Sequence, residues 1–185
     1  MIEELLNDAE QEMNKAIEVL QHQLATVRTS RASTGLVDHL QVDAYDTLMP
    51  LNQLASVSVP ESRLIVIQPF DTSMLRVIEK AIQASDLGLN PQNDGRLIRL
   101  ALPALTEERR RDLVKVVRSR TEDIKVSIRN HRRSTIDDLR QLEHEKAISE
   151  DDLRRAQDRL QTITDQSIKK VEHVGTAKEA EVMEV

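Results

Sequence analysis

Apolar positions along the chain change period twice. In the first segment they fall at Ile2, Leu5, Leu6, Ala9, Met13, Ala16, Ile17, Leu20, Leu24 and Val27. Steps of three and four make one continuous stripe without Pro or Gly, which predicts an amphipathic helix over 2–28. From residue 31 the period shortens to two. Leu40, Val42 and Ala44 alternate with polar neighbours, as do Ala55, Val57 and Val59, and again Ile98, Leu100 and Leu102. Leu64–Ile67 is a short apolar run. These are strand signals, about four or more in number. Pro50, Pro60, Pro69 and Pro91 lie inside this stretch, and Pro103 closes it. Between the strands, Asp71 is placed to cap a helix with Leu75, Ile78 and Ile82 on one face. Asp94-Gly95 marks a tight turn.

The helical period then returns. Thr106 is a good N-cap, with Glu107 and Glu108 favourable in the first turn. No Pro or Gly occurs from Ala104 to Val174, and the helix is expected to run to about Lys146. Ser149 caps a second helix, with Glu150, Asp151 and Asp152 at its positive end. Its expected stripe is Leu153, Ala156, Leu160, Ile163, Ser167, Val171 and Val174, and Gly175 is placed to end it. The acidic, Ala-rich tail to Val185 is expected to be helical or frayed. None of the three long helices is apolar all round, so each must bury its stripe against the others. The fold class is therefore α+β. A discontinuous three-helix bundle (1–30 and 105–185) carries an inserted small α+β domain (31–104). Two connections join them, which makes Ser30, Arg31, Ala104 and Leu105 the candidate hinge.

Composition narrows the function. Aromatics are 1% of the chain, Tyr45 and Phe70 with no Trp, which argues against a stacking platform for single-stranded bases. Leu, Ile, Val and Ala must fill the core. Cysteine is absent, which excludes disulfides, thiolate metal sites and cysteine nucleophiles. No apolar run approaches membrane-spanning length. The opening MIEELLNDAEQEM is acidic and amphipathic, unlike a secretory or transit segment, so the expected compartment is the cytoplasm, with no membrane partner.

The net charge of −6 conceals an asymmetry. Thr106 to Arg133 holds ten basic and five acidic residues, a net +5, so the remainder is −11. Arg111, Lys115, Arg118, Glu122, Lys125, Arg129 and Arg132 follow alternating steps of four and three, which sets them on one helical face. Leu113, Val117, Ile124, Ile128 and Thr135 lie on the roughly opposite face. Arg28 and Arg31, at the end of the first helix, are candidates to extend the patch. A solvated charged face accounts for many such helices. The regular spacing and the excess of Arg over Lys favour a polyanion, because a guanidinium pairs two phosphate oxygens at once. Without aromatics, the target is structured RNA or DNA contacted through its backbone. The alternative is a helical protein-interaction scaffold whose basic stripe only keeps it soluble.

Catalytic patterns are wanting. His144-Glu145 begins like a zinc-protease helix, but Ile148 stands where the second His is required. His131 falls near the apolar face and reads as a core or boundary residue. With four glycines there is no phosphate loop, and no nucleophile–base pair has local support. No cofactor, metal or enzymatic activity is expected.

Several stretches together resemble the bacterial ribosome recycling factors over essentially the whole length. They are Leu54-Ala-Ser-Val, Val77-Ile-Glu-Lys-Ala-Ile, Ala84-Ser-Asp-Leu-Gly-Leu-Asn-Pro91, Leu105-Thr-Glu-Glu-Arg-Arg110, Arg129-Asn-His-Arg-Arg133 and Ile148-Ser-Glu-Asp-Asp152. The resemblance implies a three-helix bundle with an inserted β/α/β domain, set in a two-arm L shape like transfer RNA. It implies a monomer that binds the large subunit of a post-termination ribosome and, with elongation factor G and GTP, separates the subunits without catalysing a covalent reaction. Arg132 matches the family position that contacts large-subunit rRNA, and Arg129, Arg110 and Arg28 match other basic positions on that face. Arg133, Lys115, Arg118, Lys125 and Arg31 complete the expected RNA-binding set. Two positions depart from the family: Ser30 and Asp46 stand where it usually has Gly.

Overall fold

A computed structural model describes residues 1–184. The first helix (α1) covers Ile2–Ala25 and buries Leu6, Ala9, Met13, Ala16, Ile17, Leu20 and Leu24. It stops three residues short of the expected end. The following Thr26-Val-Arg-Thr-Ser run is rich in side chains that compete for backbone bonds. Thr29 shows the competition, its hydroxyl donating to the Arg31 carbonyl at 2.8 Å. Val27 is buried although it lies beyond the helix.

Among the described residues six strands follow, all paired antiparallel. Gln41–Ala44 (β1) pairs with Thr47–Pro50 (β2) as a hairpin. Both residues of its turn are left-handed, Tyr45 at φ 54° and Asp46 at φ 59°. Asp tolerates that conformation better than most side chains, so little is lost where Gly is absent. Ser30, the other departure, keeps out of the left-handed region. One helical turn (α2), Leu51–Leu54, leads into Ala55–Glu61 (β3) and Leu64–Pro69 (β4). Pro91–Asn93 (β5) and Ile98–Ala101 (β6) complete a sheet of order β3-β4-β6-β5. Pro60, which lacks a donor, sits on edge strand β3 where the register shifts between Ser58 and Glu61. Asp71 caps the 3₁₀ turn Thr72–Met74 by accepting from Ser73 N at 2.9 Å, and that turn opens the helix Leu75–Ala84 (α3). Leu75, Ile78 and Ile82 of α3 join Val42, Ile65, Ile67, Ile98 and Leu100 in one core.

The fourth helix (α4) runs from Glu107 to His144, with the Thr106 hydroxyl accepting from Arg109 N at 3.1 Å. Its buried line is the expected Leu113, Val117, Ile124, Ile128 and Thr135, continued by Leu139. It ends in a Schellman arrangement: Ala147 N bonds the Leu142 carbonyl and Lys146 N the Glu143 carbonyl, each at 2.9 Å. Lys146 takes the left-handed position, φ 58°, which usually belongs to Gly. The last helix (α5), Glu150–Met183, is capped by Ser149, which accepts from Asp152 N at 3.1 Å and donates to its carboxylate at 2.7 Å. The Asp152 carboxyl is held below its ordinary value, first by the Ser149 hydroxyl and then by the Ser149 backbone.

Gly175 does not end α5, as the sequence led us to expect; the helix continues two turns past it. A Cβ at Gly175 would lie 2.7 Å from Thr121 Oγ1, so the glycine serves the close approach of α4 and α5. The buried line of α5 shifts to match. It runs Ala156, Leu160, Thr164, Ser167, Val171 and Gly175, whereas the expected Leu153, Ile163 and Val174 are only half-buried. The tail is helical to Met183, and Val185 lies outside the described residues.

By packing, the chain divides into two compact units, Met1–Leu24 with Lys115–Glu179, and Ala25–Val114 with Ala180–Val185. The first is all helix. The second holds the strands, α2, α3 and the first turns of α4. No helix among the described residues is long and apolar enough to cross a membrane.

Two substitutions test these local arguments. Gly175→Ala gains about 1 kcal/mol of helix propensity. It also forces an overpacked contact, which typically costs about 1–3 kcal/mol. A net loss of up to about 2 kcal/mol is therefore expected in urea melts. In a Thr121→Ala background the clash is gone, and the same change should stabilise; an identical effect in both backgrounds would refute the close-approach explanation. Lys146→Gly should stabilise by about 1 kcal/mol, since only Gly takes the left-handed position without strain.

Candidate nucleic-acid interface

The expected cations of α4 share one face because the helix is continuous, but the structure adds a neighbour that sequence reasoning missed. Along α5, Gln161, Glu172 and Glu179 stand beside that face. Arg118 places both Nε and Nη2 on Glu179 Oε2, at 3.1 and 3.0 Å. Lys125 donates to Glu172 at 2.8 Å with its side chain only 18% exposed. Arg132 donates to Gln161 Oε1 at 2.8 Å. Within α4, Arg129 pairs with Glu122 at 3.1 Å and Arg111 with Glu107 at 2.5 Å. Lys115 also has an interaction partner. The spacing of eleven and seven residues from Gln161 to Glu172 to Glu179 was the available signal.

Charge pairing shows in the protonation equilibria. The hydrogen bond from Lys125, and then its charge, hold the Glu172 carboxyl below its ordinary value. Glu179 raises the Arg118 guanidinium by the same two causes. The face is thus a cation row bordered by carboxylates. Arg133 and Arg109 are exposed and, among the described residues, have no ion-pair partner.

The other expected residues lie in the second unit. Arg28 donates through Nη2 to the Pro103 carbonyl, and Arg110 through Nη2 to the Leu105 carbonyl at 3.2 Å. Burial, then the like charge of Arg109, lowers the Arg28 pKa from its ordinary value. Arg31 pairs with Glu184 at 3.0 Å, and the Ser30 hydroxyl donates to the Glu184 carbonyl. Ala104 is exposed and Leu105 buried.

Three arginines share a further property. Arg28, Arg110 and Arg132 each hold a buried Nε with no hydrogen-bond partner. A buried unpaired donor is costly and marks either strain or a function. These guanidiniums are already partly dehydrated, so their remaining edges meet an anion at a lower desolvation cost.

His131 is half-buried beside Asp8, Glu12 and Asp138, the boundary position expected for it. Among the described residues no group of three or more His, Cys, Asp or Glu is arranged to hold a metal ion.

Known proteins place this arrangement in a family. Residues 20–183 match the family model of the ribosome recycling factor. Over 185 residues, all of both chains, the sequence is 59% identical to the ribosome-recycling factor of Chloroflexus aggregans and 56% identical to that of Roseiflexus castenholzii. A solution structure of a ribosome recycling factor superimposes with a TM-score of 0.80 at 43% identity, over 100% of this chain and 98% of the other. A chain from models for the T. thermophilus ribosome recycling factor and the E. coli elongation factor G bound to the E. coli post-termination complex superimposes with a TM-score of 0.70 at 44% identity, over 100% of both chains. With most of the chain matched by the family model and full-length relatives above half identity, the protein belongs to the ribosome recycling factor family.

Proposed function

We propose that this protein binds the post-termination ribosome and, with elongation factor G and GTP, promotes its separation into subunits. It acts in the cytoplasm as a monomer and catalyses no covalent step of its own. Large-subunit rRNA is contacted through backbone phosphates by Arg132, Arg129, Arg133, Arg110, Lys115, Arg118, Lys125, Arg28 and Arg31. The observation that carries the RNA contact is the set of partly dehydrated guanidiniums at Arg28, Arg110 and Arg132. The same reading takes 31–104 as a domain inserted between 1–30 and 105–185, with Ser30, Arg31, Ala104 and Leu105 as the hinge.

One observation favours the competing reading of a stripe that only solvates. Several of its cations are satisfied within the protein, by Glu172, Glu179 and Glu122. The two readings diverge in salt. If about five phosphates are neutralised, the logarithm of large-subunit affinity should fall against log salt with a slope of about −3.5 to −4.5. A slope near zero would leave the stripe a solvating surface.

Arg132 is the sharper test. Its side chain is half-buried, so Arg132→Met keeps the packed stem and removes the charge. Stability should not fall, since the costly unpaired Nε leaves with the charge. Loss of a charge-assisted contact worth about 1.5–3 kcal/mol should weaken ribosome binding about 10- to 150-fold. Ile124→Ala, at a buried position, should instead cost about 2–5 kcal/mol of stability. Thermal melting and ribosome sedimentation of both variants separate the outcomes; wild-type binding by Arg132→Met would remove Arg132 from the interface.

A further inference from the structure

The second unit contains a cavity of about 340 Å³ whose polar wall is made by Ser30, Arg31, Ser62, Arg63 and Arg110. Ala104 and Leu105 supply its apolar part, and no carboxylate lines it. That volume suits a small ligand. Two of its segments are fixed through their backbones. The Ser62 carbonyl accepts from Ala32 N at 2.6 Å, and the Arg63 carbonyl accepts from Leu102 N at 2.8 Å.

The donors are unevenly used. Arg31 pairs with the Glu184 carboxylate, and Ser30 donates to the Glu184 carbonyl. Arg110 spends one Nη on the Leu105 carbonyl and leaves a buried Nε unpaired. The Arg63 guanidinium is exposed and has no partner among the described residues. Three arginines and no carboxylate line the cavity, and of the three only Arg31 has an ion-pair partner among the described residues. Glu184 also shows the chemistry that fits here: its carboxylate, an oxyanion, on Arg31, with the Ser30 hydroxyl on its backbone carbonyl.

We propose that this cavity is an oxyanion site that takes a phosphate group, held by Arg63 and Arg110 and supported by Ser62. A guanidinium matches two phosphate oxygens at once, and two of them converging from different segments can hold a tetrahedral anion without a glycine-rich loop. Glu184 competes for the same charge from within the chain. The site shares Arg31 and Arg110 with the proposed rRNA contacts, but Ser62 and Arg63 lie outside that set. The two proposals therefore stand or fall separately.

The test uses the full-length chain and the side-chain Nε–Hε resonances of its arginines. It is titrated with inorganic phosphate, with a dinucleoside monophosphate carrying one phosphodiester, and with chloride at matched ionic strength. Saturable shifts at Arg63 and Arg110 are expected with phosphate and not with chloride. Binding of the dinucleotide as tightly as phosphate identifies the source as RNA backbone; preference for inorganic phosphate identifies a free phosphate or monoester. Arg63→Gln should weaken binding by about tenfold or more, as loss of a charge-assisted bond predicts. Glu184→Gln should tighten it by removing the internal competitor. Shifts that grow linearly and match those of chloride would overturn the proposal, as would wild-type affinity in Arg63→Gln. Should Arg63→Gln melt early, unchanged phosphate affinity in Glu184→Gln overturns it alone. Saturable phosphate binding together with ribosome affinity indifferent to salt would sink the helical RNA face and leave this site standing.

Discussion

The bundle depends on how closely its last two long helices can approach. Their stripes are too narrow for any helix to stand alone, and no aromatic ring is available to fill a gap. Tyr45 and Phe70, the only two rings, are 62% and 72% exposed. The buried line of α5 is built mainly of small residues: Ala156, Thr164, Ser167 and Gly175 alternate with Leu160 and Val171. Small side chains bury little apolar area each, so the gain must come from dense contact between backbones. Of the three buried hydroxyl side chains, Thr135, Thr164 and Ser167, two are satisfied on their own helix. Thr164 donates to the Leu160 carbonyl at 2.8 Å, and Thr135 to the His131 carbonyl at 3.0 Å. Gly175 against Thr121 is the limiting case, where even a methyl group does not fit.

Close approach fixes the electrostatics at the seam. Residues flanking the buried lines are carried within reach of each other, so Lys125 meets Glu172 and Arg118 meets Glu179. In each pair one partner, Arg118 or Glu172, stays open to water, and pairs screened this way contribute little net stability. A cation held this way is restrained without being strongly bound. It is ordered on the surface, yet a phosphate can take over its charge while the carboxylate returns to water. The neutralising carboxylates therefore lower the charge of the face and remain compatible with the proposed anion contact.

Much of this was legible in the sequence, and the failures have physical causes. The buried line of α4 follows from apolar spacing because its members are large: Leu113, Val117, Ile124 and Ile128 outweigh their neighbours. The caps at Thr106 and Ser149 follow from local chemistry alone. On α5 the same reasoning prefers Ile163 and Val174, yet the bundle buries Thr164 and turns Gly175 inward. Hydrophobicity ranks side chains by transfer energy, while a close seam selects them by size. Reading Gly175 as a stop was the same error, since only a facing Thr121 distinguishes a terminal glycine from an interhelical one. The cross-helix pairs escape for another reason: the spacing of Gln161, Glu172 and Glu179 sets them on one face of α5 but does not say which helix that face meets. Arg118 and Glu179 are 61 residues apart, Lys125 and Glu172 47 apart, and no local pattern joins them.

Two arginines of the second unit follow a different rule from the paired cations of the stripe. Arg28 and Arg110 spend Nη donors on the carbonyls of Pro103 and Leu105, neighbours in one short segment. Each also carries a dehydrated Nε. A guanidinium committed at one edge to a carbonyl keeps its full charge, because a carbonyl neutralises nothing. Arg111, Arg118, Lys125 and Arg129 of the stripe instead face carboxylates, which do neutralise them, while Arg132 faces the Gln161 amide oxygen. Arg28 and Arg110 therefore keep their charge un-neutralised beside Pro103 and Leu105, whereas Arg118, Lys125 and Arg129 of the stripe do not. Charge density along the chain is a poor guide to field strength, because the field depends on which partner each cation has already found.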